Sequence, residues 1–208
     1  MFNQLYTITL LFPLLFCGHV FSTNFQVTNS ADSGLGSLRQ AIIDSNLDKA
    51  ARNTITFNPG LGTITLTSGN LPPITHPVII NNSWVVVTVD GNSIGMTGAM
   101  ANIGFQIEPS AGGLAPGTGT IIQSITLQNF KGDSANPRDI AFAIFINGSI
   151  NNSVINNNIA SITGGGNGMG LAYGIYEAQV HDTIMGVTGN FSHSQSYSAP
   201  ASNSNCGW

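Results

Sequence analysis

The sequence predicts an all-β chain, a coil of short parallel strands closed at its beginning by one α-helix. Three observations predict it. A capped amphipathic segment opens at Ser37-Leu38-Arg39-Gln40-Ala41-Ile42, short β-branched runs punctuated by Gly, Pro and Asn follow Asn53, and similar positions recur about every 30 residues in the second half.

Leu5 to Phe16 is almost wholly apolar and about a dozen residues long, the size of a signal-peptide core and too short to cross a bilayer. Val20-Phe21-Ser22 offers small residues at the usual cleavage positions, so residues 1–22 are expected to direct export and to be removed. No Lys or Arg precedes the apolar run and Pro13 interrupts it, which keeps an uncleaved anchor as the alternative. Bulky Phe16 argues against a lipid anchor at Cys17. Once Cys17 is lost, Cys206 is the remaining thiol and no internal disulfide can form. No membrane span is expected after removal of the signal.

The 186 residues beyond position 22 suffice for one well-buried domain. Charged residues make up 7% of the chain and the formal net charge is -4, so the basic footprint that nucleic-acid phosphates require is missing and no nucleic-acid partner is expected. Disordered chains are poor in apolar residues and rich in charge, whereas this one is 42% hydrophobic with 25 glycines. That composition fits a repetitive β protein.

Ser37 and Gln40 have capping-box spacing, so the helix is expected to start at Ser37 and to run to about Ala51, roughly 20 Å at 1.5 Å per residue. Leu38, Ala41, Ile42 and Ser45 fall on one stripe; Arg39, Asp44 and Asp48 fall towards solvent. A helix placed before a series of similar strands is a natural cover for the first exposed sheet edge. The alternative is a helix packed on the face of an ordinary α+β sheet.

Beyond Asn53 the helical period gives way to strand-like runs at 54–57, 63–66, 78–80, 85–89, 103–107, 120–127, 142–146 and 171–176. Ser124-Ile125, Ser153-Val154 and Thr183-Ile184 then recur at intervals of 29 and 30, and Asn129-Phe130, Asn158-Ile159 and Asn190-Phe191 at 29 and 32. Another strand precedes each copy, at 104–107, 143–146 and 173–176. A coil of parallel strands produces such a unit, because each turn sets an apolar side chain above its equivalent one turn below. Ile125, Val154 and Ile184 are thus expected in one inward column, and Phe130, Ile159 and Phe191 in another. Asn129, Asn158 and Asn190 are expected at bends, where amides bond to one another or to turning backbone. The domain is expected to cover residues 23–191, followed by a Ser/Asn-rich tail at 192–208.

The run DSGLGSLRQAI at 32–42, then TITF at 54–57, then GTITLTSGNLPPITHPVIINN at 62–82 and a strand ending in VDG at 89–91 resembles a known family. It is similar to the N-terminal cap and first coils of secreted right-handed parallel β-helix proteins of pectin-lyase-like fold. These include bacterial surface proteins of the polymorphic-outer-membrane-protein and autotransporter-passenger type. The resemblance covers about Phe25 to Phe191, and its helix-plus-strand opening is the most specific part. It implies a right-handed parallel β-helix, a solenoid with an N-terminal capping α-helix. It also implies an exported or surface-displayed protein of adhesin type. No membrane-barrel pattern follows the coils, so self-translocation is not implied.

Lyases and hydrolases on this fold rely on carboxylates clustered on one outer face, sometimes holding Ca²⁺, with a basic residue to take a proton. After the cap, the acids are Asp90, Glu108, Asp133, Asp139, Glu177 and Asp182, and the cations are Lys131 and Arg138. They belong to different edges of the expected coil. Glu108 and Glu177 are expected two coils apart, about 9.6 Å if stacked, with Asn147 between, which is too far for one ion. The polar loop from Lys131 to Asp139 carries the nearest thing to a catalytic set in Asp133, Arg138 and Asp139; a solvated turn is the alternative. His181-Asp182 is a further acid/base candidate, although adjacent strand residues point to opposite faces. Gly164 to Gly170 lacks the Asp of glycine-rich Ca²⁺ repeats and the Lys of a phosphate loop, and reads as a permissive turn. Asn81, Asn147, Asn151 and Asn190 open N-x-S/T patterns that otherwise serve as turn residues. No cofactor and no metal are expected.

Three functions follow. The first is an exported, non-catalytic surface or secreted protein acting in adhesion or in binding glycans or a cell surface. The second is a polysaccharide lyase or hydrolase, which needs Asp133, Arg138 and Asp139 to converge with a carboxylate on the next coil. The third is a fragment of a longer β-helix protein, whose uncapped final coil would self-associate through unpaired edge groups. The export signal, the resemblance and the missing catalytic cluster favour the first.

Overall fold

The computed structural model describes residues 22–48, 52–81, 85–94, 101–113, 118–132, 140–164, 171–178, 182–189 and 193–195. In chain order its elements are β1 (Asn24–Val27), α1 (Leu38–Leu47), β2 (Asn53–Phe57), β3 (Gly62–Thr65), β4 (Val78–Ile80), β5 (Val87–Asp90), β6 (Ala101–Ile107), β7 (Ile121–Gln123), β8 (Ile125–Gln128), β9 (Ile140–Ile146), β10 (Ser153–Ile155), β11 (Asn158–Ala160), β12 (Ala172–Glu177), β13 (Thr183–Met185) and β14 (His193–Gln195). Every pairing between these strands is parallel. Among the described residues no helix is long and apolar enough to cross a membrane.

The strands fall into three sheets. The first runs β1-β2-β4-β7-β10-β13, the second β3-β5-β8-β11, and the third β6-β9-β12-β14. Single-residue bridges from Ile74 to Ile107 and from Thr188 to Asn158 extend the third and second sheets by one step each. With them, the chain visits first, second and third sheet in unbroken rotation from β2 to β14. Parallel neighbours cannot be joined by hairpins, and here the crossover from one strand to its partner is the passage through the other two sheets. His193–Gln195, within the Ser/Asn-rich stretch, form the last of these strands against β12.

Register turns this rotation into columns of side chains. In the first sheet Ile55, Ile80, Ile122, Val154 and Ile184 pair in succession. Ile64, Val89, Leu127 and Ile159 do so in the second, and Phe105, Ile144 and Ile175 in the third. All of these are buried in one core, and each aliphatic side chain so placed contributes roughly 2 kcal/mol relative to exposure.

Two expected columns need correction. Val154 and Ile184 do stack, but Ile122, not Ile125, lies before them; Ile125 belongs to the second sheet, paired with Val87. The run expected as one strand at 120–127 is two, β7 and β8, because Ser124 adopts a left-handed φ of 54° and turns the chain between sheets. Likewise Ile159 pairs with Leu127 rather than with Phe130, and Phe191 and Asn190 lie outside the described residues. Asn158 sits in strand β11, paired with Thr126, not at a bend.

The bends are built by other residues. Asn81, Ser124, Asn156 and Gly186 each follow a strand of the first sheet with φ of 65°, 54°, 51° and 60°. That left-handed conformation costs an L-residue roughly 1–2 kcal/mol, least for Asn and Gly. Amide hydrogen bonds offset it. Asn81 Nδ2 donates to the Val85 and Ser124 carbonyls at 3.0 and 2.8 Å; Asn157 Nδ2 donates to the Ile122 carbonyl at 2.8 Å and its Oδ1 accepts from Ile125 N–H at 3.0 Å. Asn81 is fully buried in this role, which removes it as a glycan-acceptor site. Asn129 and Ser161, with φ of 60° and 56°, make the equivalent bend after the second sheet.

Helix α1 starts where expected, with Ser37 as N-cap accepting from Gln40 N–H, and ends at Leu47 with Asp48 as C-cap; residues 49–51 lie outside the described residues. The reciprocal half of the capping box is not made. The Gln40 side chain donates to Asp44 instead, and Ser37 N–H is served by the Gly34 carbonyl. Leu38, Ala41, Ile42 and Ser45 are buried as the stripe requires, and the helix packs on β1 and β2. β1 is the edge strand of the first sheet, a four-residue segment that carries little sequence signal of its own.

Arg39, expected towards solvent, is instead a tie. Its guanidinium pairs with Asp32 at 2.8 Å and donates to the carbonyls of Asp32, Gly69 and Asn70. Asp32 also accepts from the Ser68 N–H and hydroxyl and from Thr67. Burial opposes the ionisation of Asp32, but the bonds from Arg39 and Ser68 outweigh it and hold its carboxyl below the usual range. The helix is thereby fastened to the loop that leads from the second sheet towards Ile74.

Phe130 fills space left by two glycines. A Cβ on Gly91 would lie 2.5–2.9 Å from three atoms of its ring, and one on Gly104 would meet both that ring and the Ala143 carbonyl. We predict that Gly91→Ala costs about 1–3 kcal/mol by overpacking, and costs measurably less in a Phe130→Leu background. Denaturant midpoints of the four proteins of this cycle test it; an equal cost in both backgrounds would place Phe130 elsewhere.

Candidate functional site

In β9 and β12 the third sheet turns its aromatic side chains outward. In β6, β9 and β12, Phe105, Ile144 and Ile175 face the core, and the next residues along, Gln106, Phe145 and Tyr176, form a partly exposed column. Ile103, Phe142 and Tyr173 form a second column. Strict alternation would put residues three apart on opposite faces. Ala143 and Ile144 are both fully buried, however, so the alternation is broken and the rings of Phe142 and Phe145 meet, stacked with centroids 5.1 Å apart.

Tyr173 and Tyr176 lie one circuit further on. Tyr173 stacks on Phe142 at 5.5 Å and 12°, while Tyr176 meets Phe145 at 5.6 Å, Phe142 at 5.7 Å and Tyr173 at 5.5 Å. These are the offset and edge arrangements that ring quadrupoles favour, at roughly 0.5–1.5 kcal/mol per pair beyond area burial. The result is a four-ring patch across β9 and β12, of which Phe145, Tyr173 and Tyr176 remain partly exposed.

Beside it stands a polar group. Glu108 accepts from Asn147 Nδ2 at 2.9 Å on one carboxylate oxygen and from Gln106 Nε2 on the other. Asn147 lies one circuit above Glu108, as the pairing of Ile107 with Ile146 requires. Glu177 does not complete the stack. It is in register with Ile107 and Ile146, and its side chain is buried in the core instead of following Asn147 on the edge.

A second polar group lies where each circuit enters the first sheet. Thr120, Asn152 and Asp182 each precede a strand of that sheet and are linked in series. Thr120 N–H donates to Asn152 Oδ1 at 3.0 Å, and Asn152 donates through its backbone N–H and its Nδ2 to Asp182 Oδ1 at 2.8 and 3.1 Å. Asp182 Oδ2 is shielded from solvent and has no hydrogen-bond partner. Burial and the nearby Glu177 carboxylate push its pKa up to about 7, against the bonds from Asn152.

Of the sequence candidates, Asp182 is a half-buried bracket for Asn152, and His181 lies outside the described residues. Asp133, Arg138 and Asp139 also lie outside them, as do residues 165–170 of the glycine run. Asp90 ends β5 and accepts from Gln128, Asn129 and Asn92 N–H; burial opposes its ionisation, but these bonds hold its carboxyl below the usual range. Lys131 donates to Asn92 at 2.9 Å. Among the described residues no group of three or more His, Cys, Asp or Glu side chains is placed to hold a metal ion. The aromatic patch was not singled out from the sequence, although its signal is present. Phe142-x-x-Phe145 and Tyr173-x-x-Tyr176 repeat the same spacing 31 residues apart.

No protein-family model matches the chain, and neither does any curated protein or any solved structure.

Asp182 gives the fold a pH dependence. Between pH of about 4 and about 7 the folded chain keeps a proton that the unfolded chain has already released, so stability falls as pH rises through that window and levels off above it. Asp182→Asn keeps the acceptor for Asn152 and removes the charge. We expect it to flatten the profile and to be the more stable protein at pH 8, by urea denaturation from pH 4 to 8; parallel profiles would contradict the assignment.

Proposed function

We propose that the three sheets are the flanks of a right-handed parallel β-helix of the pectin-lyase-like type, and that the protein is exported and acts without catalysis. Its role in this reading is adhesive: a rigid flank that contacts glycans or a cell surface. The resemblance of the 32–91 segment to β-helix caps and the apolar Leu5 to Phe16 run support the type and the export. The contact role rests on the outer face of the third sheet, where three partly exposed aromatic side chains adjoin the Gln106, Glu108 and Asn147 group.

A lyase on this scaffold needs an accessible carboxylate set with a base to take the substrate proton. Glu177 is buried, and Asp182 is engaged by Asn152 with its other oxygen shielded. These two acids serve the packing of adjacent circuits, which favours the non-catalytic reading.

The full chain, expressed with its own N-terminus, tests this directly. We expect the mature protein to begin near residue 23 in the exported fraction and to be retained on glycan-coated surfaces. Pectic, alginate and glycosaminoglycan substrates incubated with it are expected to show no new unsaturated ends. Release of such ends above a heat-inactivated control would overturn the non-catalytic assignment.

A further inference from the structure

We infer that the aromatic patch across β9 and β12 is a binding site for a neutral pyranose glycan, with Phe145, Tyr173 and Tyr176 as the stacking surface and Glu108 and Asn147 as the hydroxyl-reading edge. The inference rests on the contact role proposed above and assigns it a place and a ligand class.

The chemistry of the two parts is complementary to one kind of molecule. A pyranose ring presents C–H groups on its faces and hydroxyls around its rim. Aromatic faces carry negative quadrupole density that attracts the polarised C–H groups, and a tyrosine adds an amphipathic body with a polar tip. The rings here are held by one another at 5.1–5.7 Å, so little side-chain freedom remains to be lost on binding.

The edge supplies the directional part. Glu108 is held by an amide on each oxygen, from Gln106 two residues before it and from Asn147 on the next circuit. An ionised carboxylate offers about four lone-pair sites, so two remain after these bonds. Those sites accept from a pair of neighbouring sugar hydroxyls, and the Asn147 side-chain carbonyl accepts a third. A carboxylate fixed in this way is pre-organised for donors and repels acceptor-only anions.

Charge settles the class. Glu108 is the charged side chain that the described residues bring to this edge, and the chain carries a formal net charge of -4. Uronate and sulfate groups meet like charge both locally and at long range. The occupant is therefore an uncharged glycan and not an acidic polysaccharide, a distinction that also separates this site from a lyase cleft.

The test uses the full chain with a neutral β-linked gluco-oligosaccharide and with polygalacturonate, titrated by calorimetry against wild type, Tyr176→Ala, Tyr176→Phe and Glu108→Gln, each with its melting curve. The neutral oligosaccharide is expected to bind. Tyr176→Ala should weaken it about tenfold, Tyr176→Phe by no more than about threefold, and Glu108→Gln by an intermediate amount. Because Tyr176→Phe keeps the ring and its packing, it separates loss of the site from loss of the fold. Preference for polygalacturonate overturns the ligand class. Binding that is equal in wild type, Tyr176→Ala and Glu108→Gln overturns the site and leaves the broader glycan reading standing. Concentration-dependent dimers abolished by Tyr176→Ala, without glycan binding, assign the patch to a second copy and overturn the proposal. Absence of binding to either glycan, with surface retention intact, overturns the site alone; absence of both removes the contact role as well.

Discussion

Each circuit of this chain must return a side chain to the place occupied one circuit earlier, and the rest of the structure depends on that constraint. Parallel pairing supplies the backbone hydrogen bonds only if the register holds in three sheets at once. A slip of one residue in any sheet would send its inward column to solvent. The corners keep the register. Asn81, Ser124, Asn156 and Gly186 fix the turn from first to second sheet in a left-handed conformation, and Asn157 ties one circuit's corner to the strand below through both ends of its amide. Polar residues at these corners act on packing as much as the aliphatic columns do, because they decide which residues reach the columns.

The corners also explain where the sequence could and could not be read. Strand-forming runs are legible because β-branched residues alternate with polar ones between Gly, Pro and Asn, and the first-sheet run at Val78–Ile80 is placed as the sequence indicates. The phase between circuits is less legible, because circuit length varies. Val154 lies 32 residues after Ile122, while Ile184 lies 30 after Val154 and Ile80 lies 25 after Ile55. A search for a constant period near 30 therefore selects Ser124-Ile125, which looks like Ser153-Val154 and sits three residues too late. What distinguishes the two is the φ of Ser124, and nothing in the residue type announces a left-handed serine. Arg39 is a similar case. Its helical position points to solvent, and its burial comes from the 67–70 loop, a contact some 30 residues away in sequence.

The candidate site divides in the same way. The stacking of Asn147 over Glu108 follows from their places directly after the matched strands that end at Ile107 and Ile146, and was readable. The burial of Glu177 was not, since its neighbours in register are Ile107 and Ile146 and the sequence carries an acid where the column carries isoleucine. That substitution explains the raised pKa of Asp182 in part, and places two carboxyl groups close to the last described circuits. The aromatic patch was readable in principle from the repeated spacing of its four rings. Its geometry was not, because it depends on the break in alternation at Ala143 and Ile144.

Register across the second sheet gives the most direct test of the whole account. Thr126 and Asn158 are paired neighbours on β8 and β11, whereas Thr126 and Ala160 are displaced by two residues. With Cys17 and Cys206 replaced by serine, cysteines at Thr126 and Asn158 should form an intramolecular disulfide under mild oxidation, since paired strand positions fall inside the Cα separation that such a bond tolerates. Cysteines at Thr126 and Ala160 should remain reduced. Linkage of the displaced pair, or failure of the aligned pair in a folded protein, would contradict the register on which every column and both polar groups depend.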